Sequence, residues 1–176
     1  MAIREILQLG NPDLYRVCAP VDADELDYVR RTVSDLRDTL LDFRRRHGAG
    51  RAIAAPQIGV FKRIVYMEID EPMVYLNPRL EPIGLEQIEL WDDCMSFPDL
   101  LVRVRRHRRC RITYRDERWA AVQREFSDDL SELMQHECDH LDGILAVSRA
   151  IDMKSFALRS EIPKSRRFLH RMPATE

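Results

Sequence analysis

The segment His136-Glu137-Cys138-Asp139-His140 constrains this chain more than any other part of its sequence. On an α-helix, residues four apart share a face, so two imidazoles at this spacing can reach one metal ion. Glu137 sits beside the first imidazole, where a carboxylate can take a proton from water activated at the metal. Ser127 or Asp128 is placed to cap the helix. It is expected to run through Leu130, Leu133, Met134 and His140 and to end at Gly143.

A catalytic metal of this kind takes three protein ligands and a water. Two histidines therefore leave one ligand to find. The position six residues after His140, a histidine in one metalloprotease pattern, is Ala146. Glu161 lies about twenty residues downstream, where another metalloprotease pattern has a glutamate. Cys94 is the other candidate. It follows an apolar strand in the polar turn Asp92-Asp93-Cys94-Met95-Ser96, and thiolate is a strong ligand for borderline and soft divalent ions. Cys138 is two residues from each histidine and so lies off their face. A third segment, Gly50-Arg51-Ala52-Ile53-Ala54-Ala55-Pro56-Gln57, combines a glycine entry with small residues that let backbone approach a ligand. Gln57 offers an uncharged amide donor suited to a developing oxyanion.

Around these segments the chain reads as one domain over residues 1–176. A formal net charge of −2 excludes a globally basic nucleic-acid binder. Cys18, Cys94, Cys110 and Cys138 lack any C-x-x-C spacing, which fits a reducing compartment. The start has no signal-peptide apolar core and no apolar run is long enough to span a bilayer, so a soluble cytoplasmic protein without membrane contact is expected. The first twenty residues read as a loop-like arm with turn chemistry at Gly10-Asn11-Pro12-Asp13. Asp22 and Asp24 are candidate caps for a long helix whose Leu26, Val29, Val33, Leu36, Leu40 and Phe43 form one apolar face, with Gly48 and Gly50 beyond its end. Strands are expected at 63–67, 73–76, 101–104 and 110–114, and a short helix after Asp152. The fold class is α+β: a mostly antiparallel or mixed sheet packed around a central H-E-x-x-H helix, with a long helix in the N-terminal half.

In this order, the three segments resemble the motifs of the peptide deformylase family. Gly50 to Gln57 is similar to G-x-G-hydrophobic-A-A-x-Q, and Asp92 to Ser96 to E-G-C-L-S. Gln135 to His140 matches Q-H-E-x-D-H in full, continued by Leu141-Asp142-Gly143. Ile6 to Leu14 also resembles the family's opening, so the likeness covers about residues 3 to 160. It implies Cys94, His136 and His140 as metal ligands and Glu137 as general acid/base. It also implies that Gln57 and the backbone N–H of Met95 hold the formyl oxygen. The implied cofactor is one Fe²⁺ per chain, or Zn²⁺ or another divalent ion. The implied reaction removes the N-formyl group of formyl-Met peptides and releases formate.

The likeness is incomplete. Asp92 replaces Glu, and Arg106 is a cation it could pair with; Asp93 and Ala52 each replace Gly. Arg51 stands where the family commonly has an apolar residue lining the methionine pocket. Glu132, four residues before His136, lies on the ligand face with Asp129 one turn further back, while Leu133 stays apolar. Arg51, Ala52, Asp93, Glu132 and Leu133 are therefore candidate substrate-binding residues. Arg51 and Glu132 are expected either to point outward or pair with each other, or to form a polar pocket for a substrate other than formyl-methionine. The alternatives to formyl-peptide hydrolysis are a related amidohydrolase with another formylated substrate, a metalloprotease using Glu161, and a non-catalytic binding protein. The basic run Arg103 to Arg111 reads either as two strands with solvated arginines or as a weak ribosome contact, with no sequence-specific nucleic-acid binding.

Overall fold

The apolar stripe beginning at Leu26 forms the 22-residue helix α1 (Leu26–His47), which buries Val29, Val33, Leu36, Leu40 and Phe43. Gly48 ends it in the left-handed region at φ 62°, donating its N–H to the Arg44 carbonyl at 2.8 Å. Asp22 and Asp24 lie around a short 3₁₀ turn (Ala23–Glu25) that leads into α1. The computed structural model describes residues 2–162 and the backbone of 168–171. Met1, residues 163–167 (Lys164 among them) and residues 172–176 lie outside the described residues.

One sheet contains β1 (Ala52–Ala54), β2 (Ile64–Glu68), β3 (Pro72–Pro82), β6 (Arg109–Arg115) and β7 (Ala121–Ser127), in the order β1-β2-β3-β6-β7. A second contains β4 (Gln87–Asp93), β5 (Leu100–His107), β8 (Phe156–Leu158) and β9 (Phe168–Arg171), in the order β8-β5-β4-β9. All of these pairings are antiparallel. The class is thus α+β, with antiparallel rather than mixed sheets.

Strand alternation decides what each face holds. Ile53, Ile64 and Tyr66 join the cluster of Leu36 and Leu40 from α1. Ala52, Ala54, Val65 and Met67 join Leu133, Met134 and Leu141 of the second helix, α2 (Asp128–Leu141). The first sheet therefore lies between the two helices. Every residue of α2 from Ser131 to Leu141 is buried, including the polar or charged Ser131, Glu132, Gln135, His136, Glu137, Asp139 and His140. Gln135 is satisfied by β5: its Oε1 accepts from the His107 N–H at 2.9 Å, and its Nε2 donates to the His107 carbonyl at 2.8 Å. Gly143 follows α2 at φ 70°, and a Cβ there would lie 2.4 Å from the Tyr15 carbonyl oxygen, so only glycine fits.

The helix expected after Asp152 does not form. The Asp152 carboxylate instead accepts from the Lys154 N–H and the Ser155 hydroxyl, both at 2.8 Å. That closed turn delivers the chain to β8, which pairs with β5. β1 and β7 were not anticipated, and β3 extends well past the expected apolar run.

The basic run lies on β5 and β6, around the turn between them. Arg105 pairs with Glu89, Arg109 and Arg111 with Glu125, Arg108 with Glu86 and Asp128, and Arg103 with Asp152. Arg106 is buried rather than solvated. The run supplies ion pairs, not a bare cationic face.

Candidate metal centre

Cys94 directly follows β4, and His136 and His140 come from adjacent turns of α2. Cys94 Sγ lies 3.2 Å from His140 Nε2, which lies 3.1 Å from His136 Nε2. All three residues are buried. Metal–sulfur and metal–nitrogen bonds of about 2.3 and 2.0–2.1 Å give ligand-to-ligand edges of roughly 3.3–3.6 Å in a tetrahedron. The observed separations are close to that, slightly contracted, and a divalent ion fits this donor set. Glu161, the alternative third ligand, is exposed and belongs to no group of metal-capable side chains among the described residues. Asp92, Glu132 and His136 also converge, but there the carboxylates already hold arginines.

Asp92 lies against the first histidine. Its Oδ1 lies 2.8 Å from His136 Nδ1, leaving Nε2 turned to Cys94 and His140. Its Oδ2 accepts from Arg106 at 2.9 Å, the pairing anticipated from sequence. Arg106 also donates to Asp139, which in turn accepts from Arg149 at 2.7 Å. Burial would raise the Asp92 pKa, but the His136 charge and Arg106 outweigh it and hold the carboxyl well below its usual range. Burial works against a charge on His136, yet Asp92 and then Cys94 raise its pKa well above the ordinary value. His140 is held well below it, by burial and then by His136.

Glu137 is raised to about 7, chiefly by burial, with the His136 charge opposing. Its Oε2 is fully buried without a protein hydrogen-bond partner, so it is available to a bound molecule. Gln57 is buried, not solvated. Its Oε1 accepts from the Ala54 N–H at 2.9 Å, which turns its amide nitrogen toward Cys94 Sγ at 3.5 Å and Ser96 Oγ at 3.3 Å. Two backbone bonds from the N-terminal arm hold these loops in place: the Leu7 N–H donates to the Gln57 carbonyl and the Leu9 N–H to the Ser96 carbonyl, both at 2.8 Å. Sequence reasoning missed this strap because backbone donors leave no side-chain signature.

A cavity of about 60 Å³ opens onto these groups, and Gln57, Cys94, Met95, His136 and Glu137 line it. Arg51, Ala52, Asp93, Glu132 and Leu133 line it as well, so every residue singled out for substrate contact reaches this space. Arg51 donates to Glu132 Oε2 at 3.1 Å and approaches Asp129 at 3.5 Å. Glu132 is raised to about 7 by burial and the nearby Asp92 charge, with Arg51 pulling it down. Asp93 pairs with Arg159 at 2.7 Å.

The chain is similar to known proteins over most of its length. The polypeptide deformylase family model matches residues 3–156. Peptide deformylase 1 of Prochlorococcus marinus is 34% identical, across 92% of this chain and 88% of that protein. The peptide deformylase of Pseudomonas aeruginosa is 32% identical, across 95% of this chain and 98% of that protein. The Synechococcus elongatus peptide deformylase bound to actinonin superposes with TM-score 0.78 at 26% identity, covering 85% of this chain and 80% of that one. The Acinetobacter baumannii peptide deformylase bound to Met-Ala-Ser gives 0.76 at 27%, covering 84% and 98%.

Proposed function

The chain belongs to the polypeptide deformylase family, hydrolases that cleave the N-formyl amide, and we propose that its buried Cys94–His136–His140 centre is a metal-dependent deformylase site releasing formate from N-formylated peptides. The observation that carries this reading is the convergence of three metal-capable side chains, two of which line the cavity, with a Glu137 oxygen that has no hydrogen-bond partner among the described residues and the oriented Gln57 amide. A single Fe²⁺, or Zn²⁺ or another divalent ion, would be held by Cys94, His136 and His140 and would supply Lewis acidity to water and to the formyl carbonyl. Glu137 takes the proton of the attacking water and returns it to the departing amine nitrogen; burial keeps this carboxyl near the pKa such a two-way role needs. Gln57 Nε2 and the backbone N–H of Met95 hold the carbonyl oxygen as negative charge develops on it. Asp92 keeps His136 in the tautomer that presents Nε2.

Residues 1–176 act as one catalytic domain in this reading. The relatives' complexes with actinonin and with Met-Ala-Ser support a peptide as the occupant of the cleft. The four cysteines are free and buried, and no helix among the described residues is long and apolar enough to cross a membrane; both features are in keeping with work in the cytoplasm. The exposure of Glu161 disfavours the metalloprotease alternative. A non-catalytic binding protein would have no use for the free Glu137 oxygen beside the three ligands.

The test is formate release from formylated tripeptides by protein loaded anaerobically with Fe²⁺, alongside Glu137→Gln. The variant is expected to keep its metal and lose about 10²- to 10⁴-fold in turnover, because an amide cannot shuttle a proton. No formate from any formyl peptide with the metal bound, or near-normal turnover in Glu137→Gln, would overturn the reading.

A further inference from the structure

The reactive cavity is charged on the side that receives whatever is attached to the formyl-bearing nitrogen. A formyl group held between Glu137 and Gln57 would bring such a group into the space that those residues share with Arg51, Glu132 and Leu133. Glu132 is deeply set in this wall, with its side chain only 6% exposed, and it accepts from the guanidinium of Arg51, which is 37% exposed. Asp129 approaches the same guanidinium at 3.5 Å. Among the described residues, two carboxyl groups thus share the Arg51 cation as their ion-pair partner. Nearby, Asp93 pairs with Arg159 at 2.7 Å. Leu133 and Phe43 supply an apolar strip in the same cavity.

An apolar lining in a cavity that also presents a buried carboxyl group and a partly exposed cation matches a side chain with an aliphatic stem and a positively charged head. We propose that this cavity selects N-formylated substrates whose first residue carries a cationic, amine-bearing side chain, with Glu132 as the receiving carboxylate and Arg51 as the occupant it displaces. The inference rests on the deformylase reading and names its substrate class. A thioether of the same length finds the strip but leaves the Arg51–Glu132 pair in its path. An acidic side chain meets the surplus carboxylates and is rejected.

The experiment compares kcat/KM of the metal-loaded protein on formyl-Lys-Ala-Ser, formyl-Met-Ala-Ser and formyl-Glu-Ala-Ser. It also measures calorimetric binding of the unformylated Lys-Ala-Ser and Met-Ala-Ser peptides. The lysine substrate is expected to lead the methionine one by about tenfold or more, with the glutamate substrate slowest. Glu132→Gln, which keeps the shape and removes the charge, is expected to collapse the lysine-to-methionine ratio by about tenfold. The double replacement Arg51→Ile with Glu132→Ile is expected to invert it, with metal content reporting that the site still assembles. Formyl-Met preferred by the native protein, with an unchanged ratio in Glu132→Gln, would overturn the selectivity while leaving the hydrolase intact. If no peptide yields formate, the hydrolase reading fails instead. The binding measurement then decides the selectivity alone: tighter Lys-Ala-Ser supports it, and equal or weaker binding overturns it.

Discussion

On one side of His136, Arg106 joins Asp92 to Asp139, and Arg149 also pairs with Asp139; on the other, Arg51 is the one cation paired with Glu132 and Asp129 among the described residues. Arg106 and Asp92 are 3% and 1% exposed, whereas Arg51 is 37% exposed over a Glu132 that is almost as deeply buried as Asp92. The first cluster fixes a metal ligand from behind, and its charges have nowhere else to go. The second borders the space a substrate occupies, with one cation for two carboxylates and solvent within reach. One cluster is built to hold still; the other has room for its guanidinium to leave.

The largest expected difference between them is in stability. Arg106→Leu leaves Asp92 and Asp139 buried without their shared cation. Breaking a buried pair in this way costs about 3–5 kcal/mol. Chemical denaturation should show that loss, with a fall in the melting temperature on the order of 10 °C for a chain of this size. A loss below about 1 kcal/mol would mean that His136 and Arg149 suffice for the two carboxylates, and the contrast between the clusters would largely vanish.

A smaller effect is expected on the metal. Asp92→Asn removes the charge that orients His136 through Nδ1, and changes to such supporting groups typically lower metal affinity about 10- to 100-fold. Competition with a chelator measures it. Unchanged affinity would show that α2 packing alone orients the imidazole, and the rigid cluster would then serve the fold rather than the metal.

How much of this was legible in sequence follows from the range of each interaction. The α1 stripe and the H-E-x-x-H spacing are local periodicities, and both appear as helices where expected. Helix phase also put Glu132 on the ligand face, and the family likeness brought Cys94 to the histidines. The strand β7 escaped because it is a largely exposed edge, and Ala121 to Ser127 carry mostly polar side chains in place of an apolar alternation. Asp152 was misread because a carboxylate that accepts from the next residues looks the same in sequence whether it caps a helix or closes a turn. The strap from Leu7 and Leu9, and the sharing of Asp139 between Arg106 and Arg149, join residues far apart through partners that composition does not reveal.

The smallest expected effect belongs to Arg51→Gln, and it is the sharpest test of the contrast because its sign depends on pH. The guanidinium is more than a third exposed, so the pair it forms is screened and worth about 0–1 kcal/mol. Burial already raises Glu132 to about 7, and Arg51 is one of the influences holding it from going higher. Removing Arg51 therefore raises it further. A carboxyl whose folded pKa exceeds its unfolded value takes up protons on folding, so it favours the native state at low pH and loses that contribution as pH rises through the folded pKa. Near pH 6, Glu132 is mostly protonated in both proteins, and Arg51→Gln should cost almost nothing. Near pH 8.5 the native protein ionises Glu132 against Arg51, whereas the variant must hold a bare buried carboxylate or keep its proton. The cost should therefore grow with pH, measured as the difference in denaturation free energy at the two values. A cost that is already several kcal/mol at pH 6, or one that does not change with pH, would place Arg51 with Arg106 as a fixed structural cation and remove the reason to think a substrate can displace it.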